Sequence, residues 1–457
     1  MTVFPNISPL KKNMYKKTVN GFVPNSVIIP LKQDVNADCK WLVKPGDKVS
    51  EGQIIAVSDK NNGIFSSVYS PIPGIVTGIE SCVCPDGRTC EGMRIQLSGS
   101  FSFLGKNKKP ADARSCTGTM IFESINEKGI INTFVTNEPV LLAEDIQRAS
   151  AEKKPVMAVR LFDEDPSRLT DSLITQFFFE NVFSGSLLVA KAMNAAGIIF
   201  VSDRDFELPE LPEQKIPVLC LQTNAQKYPS GYKEEIIRLV QKNSREEWTT
   251  SISKKSLFTD SSTMLETYRA FSFGMPVIDR YVHISGDCIP ASGLIKVSIG
   301  TTLQNLAEQC GALTKNPGAV IVNGLISGVS AGTLSAPITK YVKSVVFLPA
   351  MKTPNQRQSE CIRCGNCRRV CPKELSPDII FRNLKNRMEK KDDVFMQSAF
   401  LCDNCGLCNA SCPARLPLCH VIYRKKRSAP VSALPLSEKK AVVQTEELHQ
   451  KKGASDV

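Results

Sequence analysis

Long apolar stretches are missing from this sequence of 457 residues. No run approaches the ~18 consecutive apolar residues that mark a membrane-spanning helix. Residues 1–20 contain lysines but no apolar segment behind them, so the start does not resemble a secretory signal. These absences favour a cytoplasmic protein, or one that sits peripherally on the cytoplasmic face of a membrane through its partners.

Motifs for nucleic-acid binding are missing too, although the chain is basic. Its 57 lysines and arginines and 45 acidic residues give a net charge of +12, and much of the excess lies after residue 350. A basic rim attracts acidic proteins and anionic lipid surfaces. We therefore expect no nucleic acid among the partners. The basic face either binds an acidic protein, binds a lipid surface, or is simply solvated.

Cysteine, by contrast, is abundant, and eight of the 17 cysteines fall into two motifs of identical spacing, Cys-x2-Cys-x2-Cys-x3-Cys-Pro. Bacterial ferredoxins use this run to hold two [4Fe–4S] clusters. Zinc sites and disulfides also use paired cysteines. Zinc, however, gives no role to a repeated third and fourth cysteine followed by proline, and nothing here looks secreted. The sequence therefore predicts an electron carrier.

The fourth cysteine of each run ligates the other cluster in two-cluster ferredoxins. The first cluster is then expected to be held by Cys361, Cys364, Cys367 and Cys412. The second is expected to be held by Cys402, Cys405, Cys408 and Cys371. Gly365 and Gly406 lie where the two loops must bend sharply. Cys419 lies outside both motifs and is interpreted as a spare thiol.

Turn-rich stretches and shifts in composition divide the chain into six parts. We expect an N-terminal arm, a barrel-sandwich unit, an α/β unit, a connector with a β-rich unit, a ferredoxin-like dicluster unit and a disordered basic tail. In that order the parts cover residues 1–26, 27–99, 100–245, 246–350, 351–422 and 423–457. The predicted fold class is therefore multidomain, α/β and α+β.

The barrel-sandwich prediction rests on residues 43–56 and 70–79, where glycines separate short apolar strands. The two stretches resemble the halves of a biotinyl or lipoyl carrier domain. Lys60 suggests the lysine that carriers modify, although its spacing differs, and an unmodified structural barrel is favoured. A following turn carries three thiols, Cys82, Cys84 and Cys90. They are one ligand short of a closed zinc site, so incidental thiols are expected, with a redox-sensitive or metal site as the alternative.

Apolar runs alternate with helical stretches over residues 100–245, as is typical of an α/β unit. Strands are predicted at 156–162, 196–201 and 216–221, and helices at 187–193 and 232–242. In the next part, strands are predicted at 282–286, 320–324 and 344–348, and a helix at 301–308. His283 has no second ligand nearby and is interpreted as structural.

Residues 376–378 form a strong helix start after the first cysteine motif, because serine, proline and aspartate suit the cap and first turn. Ile380, Leu384 and Met388 then share one face, which we expect to stack the two cluster loops together. Residues 424–427 are all basic and open the tail that is predicted to be disordered.

The order of these parts resembles the C subunit of the Rnf electron-transport complex, from about residue 22 to 422. The resemblance is carried by residues 46–55, 70–79 and 276–287 and by the two cysteine motifs. It implies a Rossmann-like α/β unit of the FMN/NADH type and a β-grasp unit that begins at Pro276. It also implies a peripheral subunit of an ion-translocating oxidoreductase, whose partners are membrane subunits and an acidic ferredoxin or flavodoxin.

That family resembles the NADH-binding flavoprotein of respiratory complex I, so FMN and NADH are implied as well. Three stretches depart from its signatures. Residues 128–137 keep a single glycine of the phosphate loop and carry bulky side chains instead. Residues 160–166 lose an Asn-Gly turn, and Asp163 and Glu164 are interpreted as a solvated loop. The third signature is replaced near 260–263, so we expect neither FMN nor NADH to bind tightly.

Two other functions remain open from the sequence alone. One is a flavin-dependent NADH or ferredoxin oxidoreductase with an atypical nucleotide site, which bound flavin would identify. The other is a scaffold related to the A subunit of sodium-pumping NADH:quinone reductase, which lacks the cysteine unit. The favoured function is a subunit that passes electrons through two [4Fe–4S] clusters to membrane partners.

Overall fold

The structure is a computed structural model, and it describes residues 18–33, 39–58, 63–106, 109–112, 116–136, 138–204, 216–224, 228–350, 358–385 and 397–428. The chain forms two compact units, Met1–Met351 and Lys352–Val457. Lys60, Met388, most of the predicted arm and most of the predicted tail lie outside the described residues.

The first unit begins with short strands, which are β1 (Val19–Asn20), β2 (Ser26–Pro30), β3 (Cys39–Trp41), β4 (Lys48–Val49), β5 (Ile54–Ser58), β6 (Ser67–Tyr69), β7 (Gly74–Val83) and β8 (Thr89–Leu97). One sheet has the order β2-β8-β7-β4 and a second has the order β3-β5-β6. Val27, Ile55 and Met93 are fully buried in the core that the two sheets share. Buried and exposed residues alternate along much of β7, so one face of its sheet is apolar. This is the predicted barrel-sandwich unit.

An α/β region follows, with α1 (Gly118–Glu127), β9 (Ile131–Asn132), β10 (Val140–Leu141), α2 (Leu142–Ser150), β11 (Val156–Arg160), α3 (Thr170–Ala192), β12 (Gly197–Ser202), β13 (Val218–Gln222), α4 (Lys233–Asn243), β14 (Leu257–Asp260) and α5 (Ser261–Phe273). Four of these strands form a parallel sheet in the order β13-β12-β11-β14. Strands β11 and β12 are buried along their whole length, which is typical of a parallel sheet covered on both faces.

Helix α3 is the one helix in the described part of the chain that is long and apolar enough to cross a membrane, judged by length and composition. Its apolar residues lie in the core of the first unit, where Val182, Phe183 and Val189 are buried. The ring of Phe183 stacks on that of Phe200 from β12, with 5.7 Å between the centroids.

Strand β14 lies within residues 246–276, where the sequence predicts a connector. It pairs with β11, so that Ala158 lies beside Phe258 and Arg160 beside Asp260. The α/β sheet therefore continues beyond residue 245. The sequence did not indicate this strand because its four residues end in Thr259 and Asp260, which interrupt any apolar run.

The β-rich region contains β15 (Asp279–Ser285), β16 (Gly293–Ser298), α6 (Leu303–Gln309), β17 (Pro317–Val322), β18 (Val329–Ser330) and β19 (Ser344–Pro349). These strands and β1 form a sheet in the order β1-β16-β15-β19-β17-β18. The end of the predicted arm thus belongs to this sheet, because β1 pairs in parallel with β16. Helix α6 begins at the predicted cap, where the Thr302 side chain accepts from the backbone N–H of Asn305 at 3.2 Å.

The second unit contains α7 (Asn366–Arg369), α8 (Pro377–Lys385), α9 (Leu407–Ala410) and α10 (Leu418–Ser428). Helix α8 begins where the sequence predicts, and it packs mainly against α10. Residues 423–428, which the sequence predicts to belong to a disordered tail, are part of helix α10. The predicted start of the tail is therefore corrected. Leu418 and Ile422 anchor its first turns in the core, and a helix dipole favours positive charge in the last turns.

Candidate iron–sulfur site

One cavity in the second unit gathers thiols from both cysteine motifs. Its cysteines are Cys361, Cys364, Cys367 and Cys412. The loop turns around it because Arg363 and Gly365 adopt left-handed backbone, with φ of 54° and 75°. The structure brings together the four thiols that the sequence assigns to the first cluster.

A second cavity lies beside the other loop, and its motif cysteines are Cys371, Cys402, Cys405 and Cys408. Here Asn404 and Gly406 are left-handed, with φ of 55° and 75°. Cys371 reaches this cavity from the first motif, as Cys412 reaches the first cavity from the second. The crossed arrangement is therefore present at both places. Cys419 lines the second cavity as well.

The two motifs repeat in structure as well as in sequence, and the second follows the first by 41 residues, as from Cys361 to Cys402. The left-handed residues recur in pairs at this offset, with Glu374 at 53° matching Arg415 at 55°. Helix α9 matches α7, and α10 matches α8, at the same offset. One local design therefore builds both cavities.

The cavities differ in their contact with solvent. In the first loop Ile362 is 66% exposed and the Cys364 thiol is exposed. In the second loop the matching Cys405 is 8% exposed. An ion pair of 3.2 Å between Lys373 and Asp403 covers that cavity further. The loop at the first cavity is therefore more exposed than the loop at the second.

Asp378 and Cys419 are functional candidates that the sequence interpretation missed. Asp378 lines the first cavity, and the Cys367 thiol donates to it at 3.8 Å. The Arg368 guanidinium donates twice to Asp378 at 2.7 Å, and these hydrogen bonds lower the pKa of that carboxyl. Cys419, interpreted from the sequence as a spare thiol, is buried and lines the second cavity together with Cys402 and Cys408. The 41-residue offset, which makes the two positions equivalent, was the signal that could have revealed them.

The donor set of each cavity fits a [4Fe–4S] cluster. Four motif thiols line each cavity, and a cubane has four iron corners that each take one thiolate. Buried apolar side chains complete the walls, with Leu416 and Leu418 at the first cavity and Ile422 at the second. Such surroundings limit access of water to a bound cluster.

Comparison with known families matches residues 9–100 to the RnfC barrel sandwich hybrid domain and residues 357–416 to a 4Fe-4S dicluster domain. The C subunit of a proton-translocating ferredoxin:NAD(+) oxidoreductase complex from Clostridium ljungdahlii is 24% identical over 78% of this chain and 78% of its own length. The C subunit of the Na(+)-translocating complex of Acetobacterium woodii is 25% identical over 81% of this chain and 84% of its own. The chain is a relative of Rnf C subunits.

Among solved structures, an NAD+-reducing [NiFe]-hydrogenase in the H2-reduced state is similar to 70% of this chain and 63% of that chain, at 14% identity and a TM-score of 0.44. The dicluster match extends over both cysteine motifs. The cysteine unit of this Rnf C relative is therefore an iron–sulfur domain.

The resemblance to Rnf C subunits also raises the question of a flavin or NADH phosphate. In parallel sheets such ligands bind at the carboxyl ends of the strands, where helices begin. Here the start of α5 is already occupied by two carboxylates of the chain itself. Asp260 accepts from the N–H of Thr263 at 2.8 Å, and Asp171 accepts from that of Ser262 at 3.0 Å. The Lys343 ammonium lies 2.7 Å from both carboxylates.

The start of α3 is occupied in the same way. Asp163 accepts from the N–H groups of Asp171 and Ser172, at 3.2 and 3.1 Å, and pairs with Arg168 at 2.9 Å. Glu164 pairs with Arg168, and with Arg160 at 2.6 Å. Asp163 and Glu164 are thus buried, which corrects their interpretation as a solvated loop. Arg160, at the end of β11, and Arg168, just before α3, make that burial possible, because each carboxylate finds an opposite charge.

The stretch that replaces the family's phosphate loop also faces inward. Ile130, Ile131 and Phe134 are buried, and Ile131 lies in β9. Asn137, at its end, lies outside the described residues. With bulky side chains in the loop and carboxylates at both helix starts, the sheet edge does not fit a phosphate.

Burial governs protonation in this network of charges. Burial raises the pKa of Asp260, but the Lys343 ammonium outweighs it and leaves that pKa below its usual range. For Asp171 burial prevails over Lys343, and the pKa is raised. Burial lowers the pKa of the neighbouring His283 to about 4, so this residue is neutral at pH 7.

Three thiols meet at the end of the β7–β8 hairpin. Cys82 and Cys90 are cross-strand partners, and the sulfurs of Cys84 and Cys90 are 3.7 Å apart. Cys82 and Cys84 are buried. Gly92 lacks the Cβ that would lie 2.7 Å from the Cβ of Cys82, so it makes room for the thiols.

Proposed function

We propose that this chain is a peripheral subunit on the cytoplasmic face of an Rnf-like membrane complex, which passes electrons through two [4Fe–4S] clusters to membrane subunits and so contributes to ion translocation. The observation that carries the proposal is the pair of cavities, each lined by three cysteines of one motif and the fourth cysteine of the other. A bound cluster would supply one-electron chemistry, with a potential that the protein sets anywhere from about −700 to +450 mV.

The residues of the chain have distinct tasks in this function. The first cluster would be held by Cys361, Cys364, Cys367 and Cys412. The second would be held by Cys371, Cys402, Cys405 and Cys408. The left-handed residues aim the loops, and the prolines after each motif end the turn without offering another hydrogen-bond donor. Because each motif contributes a ligand to both clusters, neither site is complete without the other.

The first cluster is the proposed point of contact with an acidic electron carrier such as a ferredoxin or flavodoxin. Ile362 and the Cys364 thiol are exposed there, and exposed basic residues surround them, at Arg363, Arg369 and Arg415. Positive charge around a redox centre raises the rate of encounter with an acidic partner. The second cluster, inside the unit, would then relay the electron.

We further propose that the first unit keeps the family's architecture without its nucleotide site. The parallel sheet and helices up to Phe273 would be a Rossmann-like domain, residues 276–349 a β-grasp domain, and residues 358–428 the dicluster domain. The carboxylates at the starts of α3 and α5 support a protein that binds neither FMN nor NADH tightly.

Iron and sulfide analysis of anaerobically purified protein tests the function. Two cubanes require about eight irons and eight sulfides per chain. Four or fewer irons after reconstitution, or stoichiometric zinc, would contradict the proposal. Titration with FMN and NADH tests the nucleotide site, and a dissociation constant below about 1 μM for either would return the protein to the flavin-dependent enzymes.

Docking is tested with a small acidic ferredoxin as electron donor. Arg363→Glu should slow the second-order rate several-fold at low ionic strength and weaken its salt dependence. Lys48→Glu, an exposed charge reversal in the first unit, is the matched control. Equal rates for both variants would place the contact elsewhere.

A further inference from the structure

The repeat of the cysteine unit is broken at one position next to each cavity. Asp378 in α8 and Cys419 in α10 are separated by the 41-residue offset of the motifs, so they occupy equivalent places. Each is buried and lines its own cavity. A carboxyl group and a thiol therefore stand at matching positions beside two otherwise similar sets of cysteines.

Cys419 is held against the cysteines of the second cavity. Its thiol lines that cavity together with those of Cys402 and Cys408, and its backbone N–H donates to the Asn409 side chain at 2.8 Å. The residue lies in the core shared by α8 and α10, next to Leu418. A buried thiol in the wall of the cavity can donate an S–H hydrogen bond to a thiolate that binds iron.

Asp378 offers the opposite electrostatics to the first cavity. Its carboxylate lies beside the Cys367 sulfur, and Arg368 and Arg382 partly neutralise it, at 2.7 and 3.8 Å. A negative charge near a cluster stabilises the oxidised form, whereas a hydrogen bond donated to a ligand sulfur stabilises the reduced form. Asp378 and Cys419 thus act in opposite directions on the reduction potentials of their clusters.

We propose that Cys419 is a positioning residue for the second cluster, and that its thiol raises the reduction potential of that cluster by donating a hydrogen bond to the thiolate of Cys402 or Cys408. Asp378 lowers the potential of the first cluster at the equivalent place. The pair makes an electron that enters at the exposed first cluster move toward the buried second one. This inference rests on the proposed function, because it requires both clusters.

Redox titration of the full chain, followed by electron paramagnetic resonance, tests the proposal. The signal that Cys405→Ala removes is assigned to the second cluster. Cys419→Ala should lower the midpoint potential of that signal alone, by about 59 mV. For a one-electron couple, this shift changes the ratio of reduced to oxidised cluster about tenfold. Cys419→Ser keeps a hydrogen-bond donor and should preserve most of the potential. Asp378→Asn should raise the potential of the other signal alone.

Cys116→Ser, which changes a thiol in the first unit, is the control and should leave both potentials unchanged. An unchanged potential in Cys419→Ala, or an equal shift of both signals, would overturn the inference. Loss of about four irons in that variant would also overturn it, because Cys419 would then be a ligand itself. Wild-type protein that assembles no cubane would instead refute the proposed function.

Discussion

The sheet edge of the first unit and the cysteine loops of the second are both places where the Rnf C resemblance implies a bound group. At the sheet edge the chain supplies its own anions, and Asp163, Asp171 and Asp260 accept the N–H groups at the starts of α3 and α5. At the cysteine loops the donors still surround two cavities. One region satisfies its helix starts with its own side chains, and the other has the geometry of a cofactor site.

The difference shows how a helix start can be satisfied without a bound ligand. A phosphate and a carboxylate satisfy the same N–H groups and the same helix dipole, so side chains that replace the ligand keep the helices in place. No side chain can take the place of a cubane, because the iron atoms of the cubane connect four thiolates. We expect the sheet edge to withstand the absence of any cofactor, and the cysteine unit to depend on one.

The largest expected effect is the loss of one whole cluster. Cys371→Ala should remove or convert the second cluster, although Cys371 belongs to the first motif, because the fourth ligand crosses over. Cys412→Ala should affect the first cluster in the same way. Iron analysis and resonance spectra of both variants check this. Damage confined to the cluster of each residue's own motif would mean that the ligands do not cross.

A large loss of stability is expected at the sheet edge. Lys343→Ala leaves Asp171 and Asp260 buried without their shared cation, which should cost about 3–5 kcal/mol in the free energy of unfolding. The fluorescence of Trp41 and Trp248 follows this unfolding selectively, since these two tryptophans of the chain both lie in the first unit. Lys296→Ala, at a partly exposed ion pair with Asp279, should cost about 1 kcal/mol or less. Equal costs would mean that burial of the network adds nothing.

A smaller effect concerns acid and His283. Because burial lowers its pKa from 6.5 to about 4, the unfolded chain binds more protons between these values. The contribution of His283 is therefore complete above pH 6.5 and is lost as the pH falls toward 4, by up to about 3 kcal/mol. The free energies of unfolding of the wild type and of His283→Leu, measured across this pH range, isolate the contribution of His283, because other groups contribute equally to both proteins. A free-energy gap that stays constant with pH would contradict the prediction.

The smallest effect is expected for an ion pair of the cysteine unit. Asp403→Asn breaks the pair with Lys373, whose side chains are 23% and 22% exposed. The cost should be about 1 kcal/mol or less, measured as the shift in the denaturant midpoint at which cluster absorbance disappears. A cost close to that of Lys343→Ala would erase the contrast between the two regions.

Repeated spacing and turn residues made the cysteine unit readable from the sequence. The motif grouped the eight thiols that line the two cavities, and Ser376 with Pro377 marked the start of α8. Glycine turns indicated the barrel sandwich, because strands with one buried face alternate visibly. These signals are local, so no knowledge of the fold was needed to find them.

Features that depend on distant contacts escaped the sequence. Asp163 and Asp171 look like surface residues until Arg168 and Lys343 bring opposite charge to them, and Lys343 lies 172 residues beyond Asp171. Strand β14 is too short and too polar to stand out before β11 pairs with it. Cys419 could have been placed beside the second cavity by extending the repeat past the motif itself.

Strand β1 has a consequence for how the protein is handled. It is only two residues long, yet it covers the outer side of β16, and the Gly21 N–H continues the pairing to the Lys296 carbonyl at 2.8 Å. An added Cβ at Gly21 would lie 2.8 Å from that carbonyl, so the close approach needs glycine. Without these residues, the N–H and C=O groups of β16 would form an open edge, ready to pair with another chain. A shortened chain that starts after residue 21 should therefore aggregate more readily than the full chain.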